Sequence, residues 1–151
     1  MIVDDGFALA ESLAIHMYLA RKYGSSEAPL YPTTREGEAT LWRWSLWAEG
    51  QLEPWVQGDV RLAPLHAQLG DAKAVVIAQA LATLDRGLAG RRWILEGEFS
   101  VADLNVAAVL SPSRSSRLDL AAYGNVSRWL QACYERPAAL ECRRRHSAAP
   151  I

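Results

Sequence analysis

The stretch that most constrains this chain is "GEFSVADLNVAAVL", residues 97–110. Ser100 stands where its hydroxyl can take the amide of Asp103 while that carboxylate reaches back to the Ser100 amide, the reciprocal pattern of a capping box. Phe99 and Leu104 sit at the positions of a hydrophobic staple, so the start of a helix is fixed from both sides. The residues after the cap are almost wholly apolar: a stripe of Val101, Leu104 and Ala108 reads as buried along its length, and Pro112 should stop the helix. A capped, buried helix needs other elements around it.

The rest of the chain supplies them. From Asp71 to Leu88, Ile77, Leu81, Leu84 and Leu88 recur at helical spacing and Gly90 ends the run; Val126, Trp129, Leu130 and Cys133 mark another amphipathic helix. Arg136-Pro137 breaks that one before a short terminal helix, whose run Arg143 to His146 reads as a solvated end that favours the negative pole of the helix dipole. Thr33 and Glu36 have capping-box spacing, so a long helix should begin near Arg35. Within it Leu41, Trp44 and Ala48 form one stripe, while Trp42 with Leu46, and Trp47, point elsewhere if each residue turns ~100°. Such a helix is a spine between a bundle and another layer or subunit, ended or kinked by Pro54.

At the front, Met1 to Val3 and Phe7 to Ala10 flank Asp4-Asp5-Gly6, whose DG pair is a strong hairpin signal. Ile15, Tyr18 and Leu19 then predict a helix over Ser12 to Tyr23 that Gly24 should cap. The expected fold is mainly α: one small hairpin followed by six or seven helices.

With 151 residues, half of them apolar, one compact unit with a sizeable core is feasible. Sixteen basic against seventeen acidic residues give no overall charge for nucleic acid or a membrane surface. No apolar run approaches the ~20 residues of a membrane span. Asp4 and Asp5 lie where a signal peptide would be basic, so nothing directs the chain out of the cytoplasm. Cys133 and Cys142 fit neither a disulfide framework nor a zinc site; Cys133 reads as a small buried hydrophobe and neither cysteine as a nucleophile. His16, His66 and His146 show no metal-ligand spacing and read as surface or capping residues, so no metal is expected.

Three segments, in order, resemble the cytosolic glutathione S-transferase family. "DDGFALAESLAIHMYLARKY" is similar to the last hairpin and third helix of its thioredoxin-like N-terminal domain. "GEFSVADLNVAAVL" resembles the capped helix of its all-helical C-terminal domain, and "YGNVSRWLQACYERPA" that domain's penultimate helix and the turn after it. The resemblance implies a remnant of the thioredoxin-like domain at residues 1–26 and the all-helical domain at residues 27–151. It also implies that the first βαβ unit, which in the family carries the Ser, Tyr or Cys that activates the glutathione sulfur, has no counterpart here; no catalytic residue is assigned. The edge of the strand Met1 to Val3 should then be unpaired, and the chain should dimerise, swap segments or bind a partner there.

Glu11 and Ser12 are the first candidate site. A strand-to-helix junction presents free amides and a positive dipole end, to which the Ser12 hydroxyl adds a donor for an α-carboxylate, while the Glu11 carboxylate can meet an α-ammonium. By resemblance this pair grips the γ-glutamyl end of glutathione, the expected substrate. Ser12 as a simple helix cap is the bland alternative. Family members line a hydrophobic electrophile pocket with the long helix, which makes Trp47, Glu49 and Gln51 its candidates, against a plain core role. Ser100 and Asp103 are assigned to folding. The implied function is nucleophilic transfer of glutathione thiolate to a hydrophobic electrophile, in a homodimer; the alternative is a non-catalytic helical protein-interaction module.

Overall fold

The computed structural model describes residues 1–27, 29–57, 71–111, 114 and 117–147. Strands β1 (Ile2–Asp4) and β2 (Phe7–Leu9) pair antiparallel with Ile2 opposite Leu9 and Asp4 opposite Phe7. Asp5 and Gly6 between them both take positive φ, 50° and 82°, the backbone that a two-residue turn with the right twist demands. Seven α-helices come after the hairpin among the described residues: α1 (Ser12–Tyr23), α2 (Arg35–Trp47), α3 (Glu53–Val56), α4 (Asp71–Gly87), α5 (Val101–Val109), α6 (Gly124–Tyr134) and α7 (Pro137–Ser147). The hairpin and the helices thus match the mainly α expectation.

Helix α2 passes into α3 through one π-helical stretch, Ala48–Leu52, in which the Glu53 amide reaches the Ala48 carbonyl. Pro54 therefore neither ends nor abruptly breaks the helix. It falls in the first turn of α3, where its missing N–H costs nothing, and the widened turn before it absorbs the mismatch. The N-cap of α2 is Thr34, whose hydroxyl accepts from the Gly37 amide at 3.0 Å, and not Thr33. Trp42 and Leu46 are 44% and 57% exposed, on the second apolar face that the sequence suggested.

Helix α5 is the centre, packed by α1, α2, the π-helical stretch and α6. Its buried residues include Val101, Ala102, Val106, Ala107 and Val109, together with the polar Asp103 and Asn105. The expected stripe is corrected here: Leu104 is 41% exposed and Ala108 is also exposed, because the face turned toward α2 and α6 carries Asp103 and Asn105 inward. Phe99 stands edge-on against Trp93, with ring centroids 5.3 Å apart. The expected stop at Pro112 lies outside the described residues.

Asp103 does more than close its own cap. It is fully buried and accepts from the Ser100 amide (3.0 Å), the Ser100 hydroxyl (3.3 Å), the Ile94 amide (2.8 Å) and the Trp129 indole N–H (2.8 Å). Burial pushes this carboxyl above its ordinary value while the four donors pull the other way. Asp85 of α4 plays a related part for α6: its carboxylate takes the amides of Asn125 (2.9 Å) and Val126 (3.1 Å), two donors that the helix itself cannot satisfy. The apolar stripes of α4 and α6 close on each other beside it, with Leu84, Leu88, Val126 and Trp129 all buried.

Two substitutions test this packing by urea denaturation. Asp103→Ala strands the Ile94, Ser100 and Trp129 donors in a dry interior and should cost about 4 kcal/mol, whereas Ser100→Ala, losing one cap, should cost about 1 kcal/mol. Gly87→Ala would place a methyl 2.4 Å from Trp44 Cζ2. Despite the better helix propensity of alanine it should destabilise by about 1–2 kcal/mol, because the buried indole has to move.

Candidate functional site

The hairpin and α1 are tied into one unit by charge. Lys22 donates to Asp4 at 2.8 Å and to Asp5 at 2.7 Å, and the Tyr23 hydroxyl donates to Asp4 at 2.8 Å. Lys22 first, then Tyr23, hold the Asp4 carboxyl below the usual carboxylate range. The C-terminal end of α1 is thereby fixed to the turn, which leaves its N-terminal end at the junction with β2.

At that junction Glu11 has φ 72° and ψ 119°, a backbone that a side-chain-bearing residue adopts only at a cost of about 1–3 kcal/mol. Its carbonyl accepts the Ile15 amide at 2.9 Å, and its carboxylate caps nothing. Ser12 is the first residue of the helix and not its cap, so the bland reading of this hydroxyl as a capping group fails. Both side chains are exposed. The amides of Ser12, Leu13 and Ala14 have no carbonyl one turn earlier in the helix to meet, and they point where the dipole favours an anion. The structure brings Glu11 and Ser12 together with these donors at one exposed corner.

One turn further along α1 lies a contact that the sequence did not reveal. His16 Nδ1 is 2.9 Å from Asn105 Oδ1, and the Asn105 amide donates to Ser45 Oγ at 2.9 Å. Because the Asn105 oxygen accepts, the histidine proton sits on Nδ1. Asn105 and Ser45 are 1% and 0% exposed, so the chain α1–α5–α2 is stitched through the interior by polar side chains. His16 is therefore partly buried and tied to the interior, and it caps no helix. His66 and the side chain of His146 lie outside the described residues. No signal in the sequence distinguished His16, since the pairing is set by a residue 89 positions away.

Trp47, Glu49 and Gln51 lie at and after the end of α2. Trp47 packs edge-on against Trp44 with centroids 5.1 Å apart and is partly buried, whereas Glu49 and Gln51 are exposed on the π-helical stretch. None of the three lines the apolar cavity of about 680 Å³ that opens between α1, α5 and α7. Cys133 is buried, and burial pushes its thiol far up, which removes it as a nucleophile. Cys142 is exposed. Among the described residues no cluster of His, Cys, Asp or Glu could hold a metal ion, and no helix is long and apolar enough to cross a membrane.

Comparison with known proteins bears on this architecture. Residues 67–132 match the family model described as "Glutathione S-transferase, C-terminal domain". Glutathione S-transferase D7 of Drosophila melanogaster is 30% identical over 131 residues, covering 86% of this chain and 58% of that protein. A delta-class glutathione transferase of Nilaparvata lugens superposes with a TM-score of 0.74 at 27% identity, over 87% of this chain and 62% of its own. A glutathione transferase of Burkholderia graminis, solved with two glutathione molecules per subunit, gives 0.70 at 26% identity, over 91% and 61%. The chain thus spans about three fifths of the length of these relatives. The hairpin with its following helix, the capped central helix and the helical domain are thus similar to those of glutathione S-transferases.

Proposed function

We propose that the exposed corner at Glu11 and Ser12 binds the γ-glutamyl end of glutathione, and that the chain serves a transferase that joins glutathione to a hydrophobic electrophile. The strained Glu11 backbone carries this reading: a cost of that kind persists where the surrounding fold enforces it, and here it sets a carboxylate beside the open N-terminus of α1. The α-carboxylate of glutathione would meet the Ser12 hydroxyl and the first free amides, and its α-ammonium the Glu11 carboxylate. The glutathione molecules recorded with the Burkholderia graminis transferase support the choice of ligand.

In the reaction, the glutathione thiolate attacks an electrophilic carbon, a C–S bond forms and the leaving group departs with the bonding electron pair; with a disulfide, the departing group is a thiolate. Glu11 and Ser12 orient the tripeptide, and Trp47, Glu49 and Gln51 shape the second pocket. No residue of this chain is assigned the task of activating the thiol. In this reading residues 1–26 belong to the thioredoxin-like part and residues 27–151 to the helical part, and the protein works in the cytoplasm as a homodimer. The exposed Trp42 and Leu46 on α2 support a second subunit.

Isothermal titration with S-methylglutathione, which has no free thiol, isolates this half of the site. The chain should bind it saturably, and Ser12→Ala and Glu11→Gln should each weaken binding about tenfold, roughly 1.4 kcal/mol, with the helix content unchanged. Absence of saturable binding by the folded chain, or binding indifferent to both substitutions, would overturn the assignment.

A further inference from the structure

Helix α1 is held unevenly along its length. Its buried residues are Met17 and Ala20, from the middle onward, and Lys22 and Tyr23 tie its far end to the hairpin. The first turn, Ser12 to Ala14, has no buried residue and no side-chain cap, so on its own it is the end of the helix that frays. Among the described residues, the one side-chain hydrogen bond made by residues 11–17 is that of His16 to Asn105. His16 follows Ser12 by four residues and so stands beside it on the same face of α1.

The group that holds His16 is itself immobilised. Asn105 lies on α5 two residues after Asp103, whose bonds to Ile94 and Trp129 fix that helix; its amide nitrogen is engaged by Ser45 of α2 while its oxygen faces His16. The two ends of one amide therefore join two helices. Stability does not require this. Asn105 and Ser45 sit in an apolar interior, and replacing both partners of a buried hydrogen bond by apolar groups of similar outline is often close to neutral. What an apolar pair does not supply is direction, because a hydrogen bond tolerates little misalignment and apolar contact tolerates much.

We propose that Asn105 and His16 are positioning residues for the Glu11–Ser12 corner: the locked Asn105 amide sets the first turn of α1 through His16, and with it the aim of the Ser12 hydroxyl and of the Ser12, Leu13 and Ala14 amides at an anion. The inference rests on the reading of that corner as the site for the γ-glutamyl end of glutathione. Donors held in place before the ligand arrives bind it without an ordering cost, so a residue of the helical interior acts on affinity at the surface.

The test is isothermal titration with S-methylglutathione on chains shown to be folded by circular dichroism. Asn105→Leu and His16→Leu should each weaken binding about fivefold, and the double variant should bind no more weakly than either alone. His16→Asn, which keeps an N–H donor near the place of Nδ1, should return the affinity to within about twofold of the unaltered chain. His16 is only partly buried, so His16→Leu decides the matter where Asn105→Leu does not fold. Affinity unchanged in the leucine variants, losses that multiply in the double variant, or no recovery with His16→Asn would overturn the proposal. A folded, unaltered chain that binds no S-methylglutathione would overturn the corner reading, and the positioning is then read from the free protein. There the amide resonances of Ser12, Leu13 and Ala14 should move in Asn105→Leu, although residue 105 is on another helix; resonances that stay in place would overturn the positioning as well.

Discussion

A carboxylate shut away from water, with donors on every side, is the contact on which this fold depends. Asp103 joins separate pieces of chain at one point: its own helix start through Ser100, the segment before it through the Ile94 amide, and α6 through the Trp129 indole. Burying an ionised group is expensive unless hydrogen bonds replace its hydration, and here they do so from groups that would otherwise be orphaned. The apolar contacts that supply most of the stabilisation are less directional. Leucines at helical spacing allow several ways for α4, α5 and α6 to lie together, and the carboxylate selects one of them. Asp85 repeats the device at the start of α6, reaching from a neighbouring helix to amides that no residue of α6 itself caps.

From this core a second polar line runs outward to the candidate site. Helix α5 carries Asn105 two residues beyond Asp103, and Asn105 holds His16 on one side and Ser45 on the other. The orientation of α1 about its own axis is thus set from within the helical part, while Lys22 and Tyr23 fix its far end to the hairpin. With both constraints in place, β2 has to turn sharply into α1 at Glu11, and the positive φ there is the geometric result. The exposed corner with its carboxylate, hydroxyl and open amides exists because the interior defines where α1 lies.

Much of this was legible in the sequence, and for local reasons. A capping box, a DG turn and leucines spaced along α4 declare themselves within a few residues, and the structure has all three features. The choice of Thr33 over Thr34 as a cap failed because Glu36 gives Thr33 the capping-box spacing that Thr34, with Gly37 three residues on, lacks, whereas the backbone path decides which hydroxyl meets the Gly37 amide. The outward turn of Leu104 escaped the sequence for another reason. A stripe read by apolarity alone omits Asp103 and Asn105, yet these two define the inner face, since each finds its partners on other helices. The same distance hid His16 and the reach of Asp103 to Trp129. The dipeptide Glu11-Ser12 stood out in the sequence as a candidate, but its strained backbone did not, because strain is a property of how the surrounding elements are fixed.

The most direct test is to record amide resonances of the chain while glutathione is added. If the interior sets α1 so that its open end takes the γ-glutamyl group, shifts should concentrate at Glu11, Ser12, Leu13 and Ala14 and fade along α1 by Tyr23, with α4 and α6 silent. Shifts gathered elsewhere, at the apolar cavity beside α7 or at the exposed face of α2, or a spectrum that saturating glutathione leaves unchanged, would contradict the account.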